Sequence, residues 1–313
     1  MEYARLGKSM LQVSRFCMDT KDWGTARQGE GGEPSQEEMD HMVKHALEAG
    51  INFFETANYY HDGLDEIYLG NALRQYADRE QIRIALKFYD QEDGLSRKAI
   101  FRGIQKSLKS LRTDYIDLLI LPKWDYQTPI KETVEALHDL IKTGYIRQIG
   151  AADMYAYQFM KAQETARMHG WRTFVTMQSN YSLLYREDER ELLKLLKEEN
   201  VSVCSDLSWM LNKITAFKND RKDQNEMIAE KNSDVDYPVL QRMSELAEKH
   251  DATLLQIATA WFFAKEDVVI PVIGIKGSDE LDEMTASLQI KLSPEEMRYL
   301  EEPYMPHGMM EMV

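Results

Sequence analysis

The feature that most constrains the fold is a regular alternation of short apolar runs, rich in β-branched residues, with longer amphipathic stretches. Near-continuous apolar runs are typical of parallel strands that are buried on both faces. Eight such runs predict strands, which cover residues 13–18, 51–55, 82–87, 115–121, 146–152, 174–178, 201–205 and 268–273.

The stretches between these runs carry the sequence signals of helices. Ser35 and Glu38 form a capping box, which predicts a helix that begins there and runs to Gly50. Ser293 followed by Pro294 is the arrangement of an N-cap and a proline at the first helical position, and it predicts another helix. Apolar residues also recur at helical spacing in two series, Ile100, Ile104, Leu108 and Leu111, and Ile130, Val134, Leu137 and Ile141.

Repeated strand–helix alternation predicts an α/β fold with a parallel sheet and right-handed crossovers, and eight units predict a closed (β/α)8 TIM barrel. An open doubly wound sheet is the alternative, but no GxGxxG motif follows the first strand, as a dinucleotide site of that class would need. We expect one barrel domain over residues 1–313. The segment 208–236 is rich in Lys, Asp, Asn and Glu, which predicts a long polar loop after the seventh strand.

The charge balance and the apolar runs narrow the classes of partner. A net charge of -15 argues against nucleic acid and disfavours anionic membrane surfaces, since both need a basic face. No apolar run approaches the length that spans a bilayer, and the N-terminus lacks an apolar signal core. Cys17 and Cys204 lack metal-ligand spacing and are interpreted as small apolar strand residues. We therefore expect a cytoplasmic protein with a small-molecule substrate.

In barrels of this kind, functional side chains gather at the carboxyl ends of the strands. The sequence places four carboxylates and one lysine at those ends, namely Asp19, Glu55, Lys87, Asp153 and Asp206. The predicted mouth of the barrel is therefore polar and acidic.

Several long segments carry a resemblance to a known family. They are EYARLGKSMLQVS, GINFFETANYYHDGLDEIYLGNAL, DYIDLLILPKWDYQTPIKETVEALHDLIKTGYIRQIGAAD, QSNYSLLYR, IPVIGIKGSDELDE and LEEPYMPH. With them the chain resembles the aldo-keto reductase family over nearly its whole length, including the family's N-terminal hairpin. It looks like a divergent member of the prokaryotic branch, which acts on carbonyl or sugar substrates.

The resemblance implies a set of catalytic residues. Family members use NADP(H) to deliver hydride to a carbonyl carbon while a tyrosine, here Tyr60, donates the proton to the carbonyl oxygen. Lys87 is expected to lower the pKa of that phenol, and Glu55 stands where the family has the aspartate that pairs with the lysine. Pro122 occupies the position of the family histidine, so the side chain that orients the substrate oxygen is missing.

The resemblance also implies where the cofactor binds. Gln178 is expected to hold the nicotinamide carboxamide, Tyr181 to stack on the nicotinamide ring and Lys276 to meet the 2′-phosphate. Thr20, Ser205 and Leu207 complete the predicted cofactor-binding set. Other positions depart from the family pattern: Asp19 replaces a glycine, Ala152-Asp153 replaces Ser-Asn, Asp206 lies in the strap after the seventh strand, and Met284 replaces a late asparagine.

These departures leave three functions open. The first is reduction of a small aldehyde, ketone or sugar-type carbonyl with NAD(P)H. The second is non-redox acid–base chemistry of an isomerase, lyase or glycoside-cleaving type in the acidic mouth, with a divalent metal as an additional cofactor, since hard oxygen ligands suit such ions. The third is a catalytically inactive family member. Residues that would contact the substrate or act as alternative acids and bases are Asp19, His61, Trp124, Asp153 and Asp206.

Overall fold

A computed structural model describes residues 1–21, 35–222, 235–265, 269–274 and 277–308. Two short strands, β1 (Tyr3–Arg5) and β2 (Gln12–Ser14), pair in an antiparallel hairpin. Eight parallel strands then close into a barrel in chain order, so the predicted barrel is confirmed. They are β3 (Cys17–Asp19), β4 (Phe53–Ala57), β5 (Arg83–Lys87), β6 (Ile116–Leu121), β7 (Ile146–Ala152), β8 (Thr176–Ser179), β9 (Ser202–Asp206) and β10 (Val269–Gly274).

The predicted first strand over residues 13–18 is wrong as a single element. It joins the end of β2 to the start of β3, and the chain bends between them. Ser14 holds this bend because its hydroxyl donates to the carbonyl of Phe16 and its N–H donates to the side chain of Asn52. The apolar pattern ran across the bend because Val13 and Phe16 are both buried, although they belong to different packing layers.

The described helices surround the barrel. They are α1 (Gln36–Glu48), α2 (Leu64–Tyr76), α3 (Arg97–Ser110), α4 (Ile130–Thr143), α5 (Ala156–Met168), α6 (Leu192–Glu198), α7 (Ser208–Lys222), α8 (Tyr237–Lys249), α9 (Leu254–Ala264), α10 (Ser278–Ala286) and α11 (Pro294–Glu301). The capping box predicted at Ser35 is present, and so are the N-cap and first-turn proline predicted at Ser293 and Pro294, where Glu296 completes a second capping box. None of these helices is long and apolar enough to cross a membrane.

The segment after the seventh barrel strand does not begin as the predicted polar loop. Helix α7 occupies residues 208–222, and residues 223–234 lie outside the described part of the chain. Met210, Ile214 and Phe217 are buried at helical spacing, which explains why this stretch is helical despite its charged composition. Leu207, one turn earlier, continues the same apolar series.

Strand alternation decides which side chains enter the barrel. Phe53 and Ala85 belong to the core inside the barrel, whereas Phe54 packs in the layer between strands and helices. Because successive strand side chains point to opposite faces, Glu55 and Lys87 lie on the inward series, two residues beyond Phe53 and Ala85. The same period carries Cys17 into Asp19 and Cys204 into Asp206. The carboxylates of the mouth are thus continuations of an apolar interior.

Candidate active site

A buried ion pair stands at the centre of the barrel mouth. Glu55 Oε1 lies 2.7 Å from Lys87 Nζ, and the two residues are 1% and 7% exposed. Burial alone would lower the pKa of Lys87, but Glu55, Tyr60, Asp19 and neighbouring carboxylates outweigh it and hold that pKa well above its ordinary value. Lys87 is therefore a fixed cation, and the glutamate at the family's aspartate position does form the expected ion pair.

Gln178 reaches the same pair from the other side of the barrel. Its Nε2 donates to Glu55 Oε1 at 3.1 Å, although β8 and β4 stand on opposite walls of the closed sheet. Only side chains that point into the barrel can meet in this way. Gln178 is 2% exposed, and its Oε1 has no hydrogen-bond partner in the described part of the chain. A buried acceptor without a donor is costly unless a ligand satisfies it.

Tyr60 contacts this centre from the short turn that follows β4. This 3-10 turn covers Tyr60–Gly63, and the Tyr60 hydroxyl donates to Asp19 Oδ2 at 3.4 Å. Burial raises the pKa of Tyr60, Lys87 lowers it, and Asp19 and Glu55 raise it further. The net shift of the Tyr60 pKa is upward. Lys87 acts in the predicted direction, but burial and the extra carboxylates outweigh it.

Asp19 is a buried carboxyl that interacts with Lys87, Glu55 and Asp206. It is 2% exposed, and the backbone N–H of Lys21 donates to its Oδ1 at 3.0 Å. Burial raises the pKa of Asp19 to about 8, with Lys87 opposing the rise and Glu55 and Asp206 adding to it. The carboxyl group is therefore protonated at neutral pH. Asp19 stands where the family resemblance implies a glycine, so it adds a proton-carrying group to the mouth.

Two further carboxylates face the same lysine. Burial raises the pKa of Asp153 to about 6, with Lys87 opposing the rise and Asp206 adding to it. Burial also acts to raise the pKa of Asp206, but Lys87, Lys21 and hydrogen bonds from Ser208 outweigh it, and the pKa is lowered. The Ser208 N–H donates to Asp206 Oδ1 at 2.9 Å. Asp206 is thus ionised at neutral pH, and Asp153 largely so.

His61, Trp124 and Thr20 have other contacts. His61 Nδ1 lies 2.9 Å from Asp65 Oδ1 on α2, with 39% of the His61 side chain exposed. Trp124 is half-buried at the barrel rim, where Lys161 Nζ lies 5.8 Å from its ring centroid. The buried Thr20 hydroxyl donates to the hydroxyl of Thr56 at 2.9 Å. The Thr20 hydroxyl proton is therefore already used by Thr56. The His61 ring is likewise already paired, with Asp65 on α2.

Tyr181, which is predicted to stack on a nicotinamide ring, lies in the packing layer between strands and helices. Its ring is 2% exposed and packs against Trp261 with centroids 5.4 Å apart, and its hydroxyl donates to Glu189 Oε1 at 2.7 Å. The fully buried Ser205 donates its hydroxyl to the Tyr181 carbonyl, so it is not free for a cofactor either. Leu207 is fully buried as well. These three positions serve packing in the structure.

Tyr59 is a member of the site that the sequence analysis missed. Its ring meets the Tyr60 ring edge to face with centroids 5.2 Å apart. Burial raises the pKa of Tyr59 to about 12, with Lys87, Glu55, Asp19 and Asp153 all acting on it. The adjacent tyrosine pair in the sequence was the only signal that pointed to it.

The side chains of the mouth differ in how well they suit a metal ion and a nicotinamide cofactor. In the described ranges no group of three or more His, Cys, Asp or Glu side chains is arranged to hold a metal. The nicotinamide end does fit, since the free Gln178 Oε1 can accept from a carboxamide NH2 group. Met284 is buried and Lys276 lies outside the described residues, so the adenosine end has fewer identified partners.

The fold and the site together define a class of protein: a closed parallel barrel with a lysine–carboxylate pair and a tyrosine at its mouth, suited to acid–base chemistry. The protein-family model described as "Aldo/keto reductase family" matches residues 23–304. The chain belongs to the aldo/keto reductase family.

Individual relatives agree with this assignment over at least 91% of their length. The chain is 32% identical to versiconal hemiacetal acetate reductase of Aspergillus parasiticus, covering 98% of both proteins. It is 32% identical to an aldo-keto reductase of Alternaria alternata, covering 96% of this chain and 91% of that protein. A solved structure of a thermostable aldo-keto reductase with the inhibitor epalrestat matches at a TM-score of 0.79 and 26% identity, covering 97% of this chain and 100% of that chain.

Proposed function

We propose that this protein reduces a small aldehyde, ketone or sugar-type carbonyl with NAD(P)H, with Tyr60 as the proton donor. The observation that carries the proposal is the Glu55–Lys87 pair beside Tyr60, together with the unpaired Gln178 acceptor in the same interior. The reductase names of the relatives support the same class of reaction.

Each residue has a distinct task in this reaction. A reduced nicotinamide ring, when bound, supplies hydride to the carbonyl carbon. Tyr60 gives its phenolic proton to the carbonyl oxygen, which becomes the alcohol oxygen, and Lys87 stabilises the phenolate that remains. Glu55 holds Lys87 in place through the 2.7 Å contact. Asp19, which carries a proton at neutral pH, can return a proton to the phenolate along the 3.4 Å hydrogen bond.

Pro122 limits the rate of this reaction. It follows β6 at the family's histidine position and has no side-chain donor for the substrate oxygen. Loss of one positioned donor typically costs about 10²–10³-fold in rate. We therefore expect slow turnover, with Tyr60 as the main group that orients the carbonyl.

A second candidate function is proton transfer without hydride transfer. The observation that favours it is that the buried Asp19 and the half-buried Asp153, which both interact with Lys87, have pKa values on either side of neutrality, at about 8 and about 6. Such a pair could serve as acid and base for an isomerisation or elimination.

The experiment that separates these candidates uses the purified full chain. Reduced nicotinamide absorbance is followed during incubation with NADPH or NADH and a panel of aromatic aldehydes, aliphatic ketones and aldoses. Aldehyde-dependent loss of absorbance supports the reductase. Turnover of a hydroxycarbonyl substrate without added cofactor would support proton transfer, and tight cofactor binding without turnover of any substrate would support the inactive family member.

A further inference from the structure

The interior of the barrel mouth carries more negative than positive charge. Lys87 is already neutralised by Glu55 at 2.7 Å, yet Asp19, Asp153 and Asp206 also interact with this one lysine. Lys21 is a second cation that attracts Asp153 and Asp206. Lys21 is exposed to solvent, however, and water screens its attraction to the two carboxylates.

Gln178 lies within this acidic group and has one free site. Its Nε2 is used by Glu55, and its backbone carbonyl accepts from the Asp153 N–H at 3.1 Å. Its Oε1 is buried and unpartnered in the described part of the chain. A nicotinamide whose carboxamide donates to this oxygen would be held at a side chain that contacts Glu55 and adjoins Asp153.

We propose that these carboxylates make the site prefer the oxidised, positively charged nicotinamide ring over the reduced, neutral ring. The proposal rests on the proposed function, because it assumes a nicotinamide cofactor with its carboxamide at Gln178. The two cofactor forms differ in the charge of that ring and share the remainder of the molecule. A difference in their affinities therefore reports the electrostatics of this mouth directly.

The preference has a consequence for the reaction. The ring gains positive charge as hydride leaves it, so Asp153 and Asp206 stabilise that charge in the transition state and in the product. The ionised carboxylates thus favour hydride loss and then retain the oxidised cofactor. Asp153 and Asp206, and Asp19 once it is ionised, depart from the family pattern and share this role.

The preference depends on pH through Asp19. The groups that face it are Lys87, Glu55, Asp206, Tyr60 and the backbone N–H of Lys21. Below about pH 8 the Asp19 carboxyl is protonated, and a cation beside it favours the ionised form. Binding of the oxidised ring therefore releases a proton there. Its affinity rises relative to that of the reduced ring as the pH increases through this range.

The test measures dissociation constants of the full chain for NADP⁺ and NADPH, by calorimetry and tryptophan fluorescence, between about pH 6 and pH 9. We expect NADP⁺ to bind at least about ten-fold more tightly than NADPH at the upper end of this range, and by a smaller factor at the lower end. Asp19→Asn should remove most of the pH dependence of the ratio. Asp139→Asn, a carboxylate on α4 that pairs with Arg97, is the matched control and should leave the ratio unchanged.

The outcomes separate the inference from the proposed function. Equal affinities, or a preference for NADPH, would overturn the inference and leave the reductase standing. Failure of both forms to bind would overturn both. If Asp19→Asn does not fold, as judged by circular dichroism, Asp153→Asn replaces it and should lower the ratio of affinities by several-fold. A ratio unchanged in a folded variant would count against the acidic group as the cause.

Discussion

Tyr60 donates a hydrogen bond to Asp19 across 3.4 Å, and Asp19 is a carboxyl that stays protonated up to about pH 8. The phenol is thus paired with a second proton-carrying group inside the barrel. The family resemblance implies glycine at position 19, so the pairing is a property of this chain's own sequence. It links the proton chemistry of the mouth to the pH.

Asp19→Asn should stabilise the fold in a pH-dependent way. The folded chain keeps the Asp19 proton up to about pH 8, whereas the unfolded chain loses it near the ordinary value of 3.8. Between these values the folded state binds more protons, so the free energy of unfolding falls as the pH rises. Asparagine has no proton to lose, and because the pKa of Asp19 rises from 3.8 to about 8 on folding, we expect it to add about 5 kcal/mol more at pH 8 than at pH 4. Urea denaturation at both pH values measures this, and an equal effect at both would contradict it.

The Glu55–Lys87 pair should show strong coupling in stability. Glu55→Gln or Lys87→Met alone leaves one buried charge without its ion-pair partner at 2.7 Å, and breaking a buried pair in this way typically costs about 3–5 kcal/mol. The double variant removes both charges, and most of that loss should be recovered. A double-mutant cycle in urea measures the coupling. Simple addition of the two single effects would show that the pair contributes no specific interaction.

Tyr181→Leu should destabilise the fold without changing cofactor affinity. The substitution removes a ring packed on Trp261 and the hydrogen bond to Glu189, at a cost of about 2–4 kcal/mol. Because the Tyr181 ring packs against Trp261 and its hydroxyl is held by Glu189, the dissociation constant for NADPH should change by less than about two-fold. Fluorescence titration of the folded variant checks this. A large loss of affinity would return Tyr181 to the cofactor site.

Much of the barrel could be predicted because strand periodicity is local. Alternation along β4 and β5 places Glu55 and Lys87 on one series with apolar interior neighbours. The break between β2 and β3 could not be predicted, because Val13 and Phe16 are both buried although they pack in separate layers. Helix α7 was missed because its charged residues concealed a buried series at helical spacing.

The features of the site that the sequence could not predict depend on contacts between residues that are far apart in the chain. The Gln178–Glu55 hydrogen bond joins residues 123 positions apart and exists only because the barrel closes. The raised pKa of Asp19 depends on burial, which the residue type does not reveal. The orientation of Tyr181 likewise follows from its partner Glu189 rather than from its place after β8.

The central claim is that Tyr60 supplies the proton for carbonyl reduction, and a single-turnover measurement tests it most directly. The protein in excess over NADPH is mixed with an aromatic aldehyde, and the decay of reduced nicotinamide absorbance gives the rate of hydride transfer. Tyr60→Phe should slow this rate by about 10²–10⁴-fold while NADPH still binds. Tyr181→Phe, which loses a hydroxyl bound to Glu189, should transfer hydride at close to the unmodified rate. Undiminished hydride transfer in Tyr60→Phe would contradict the account.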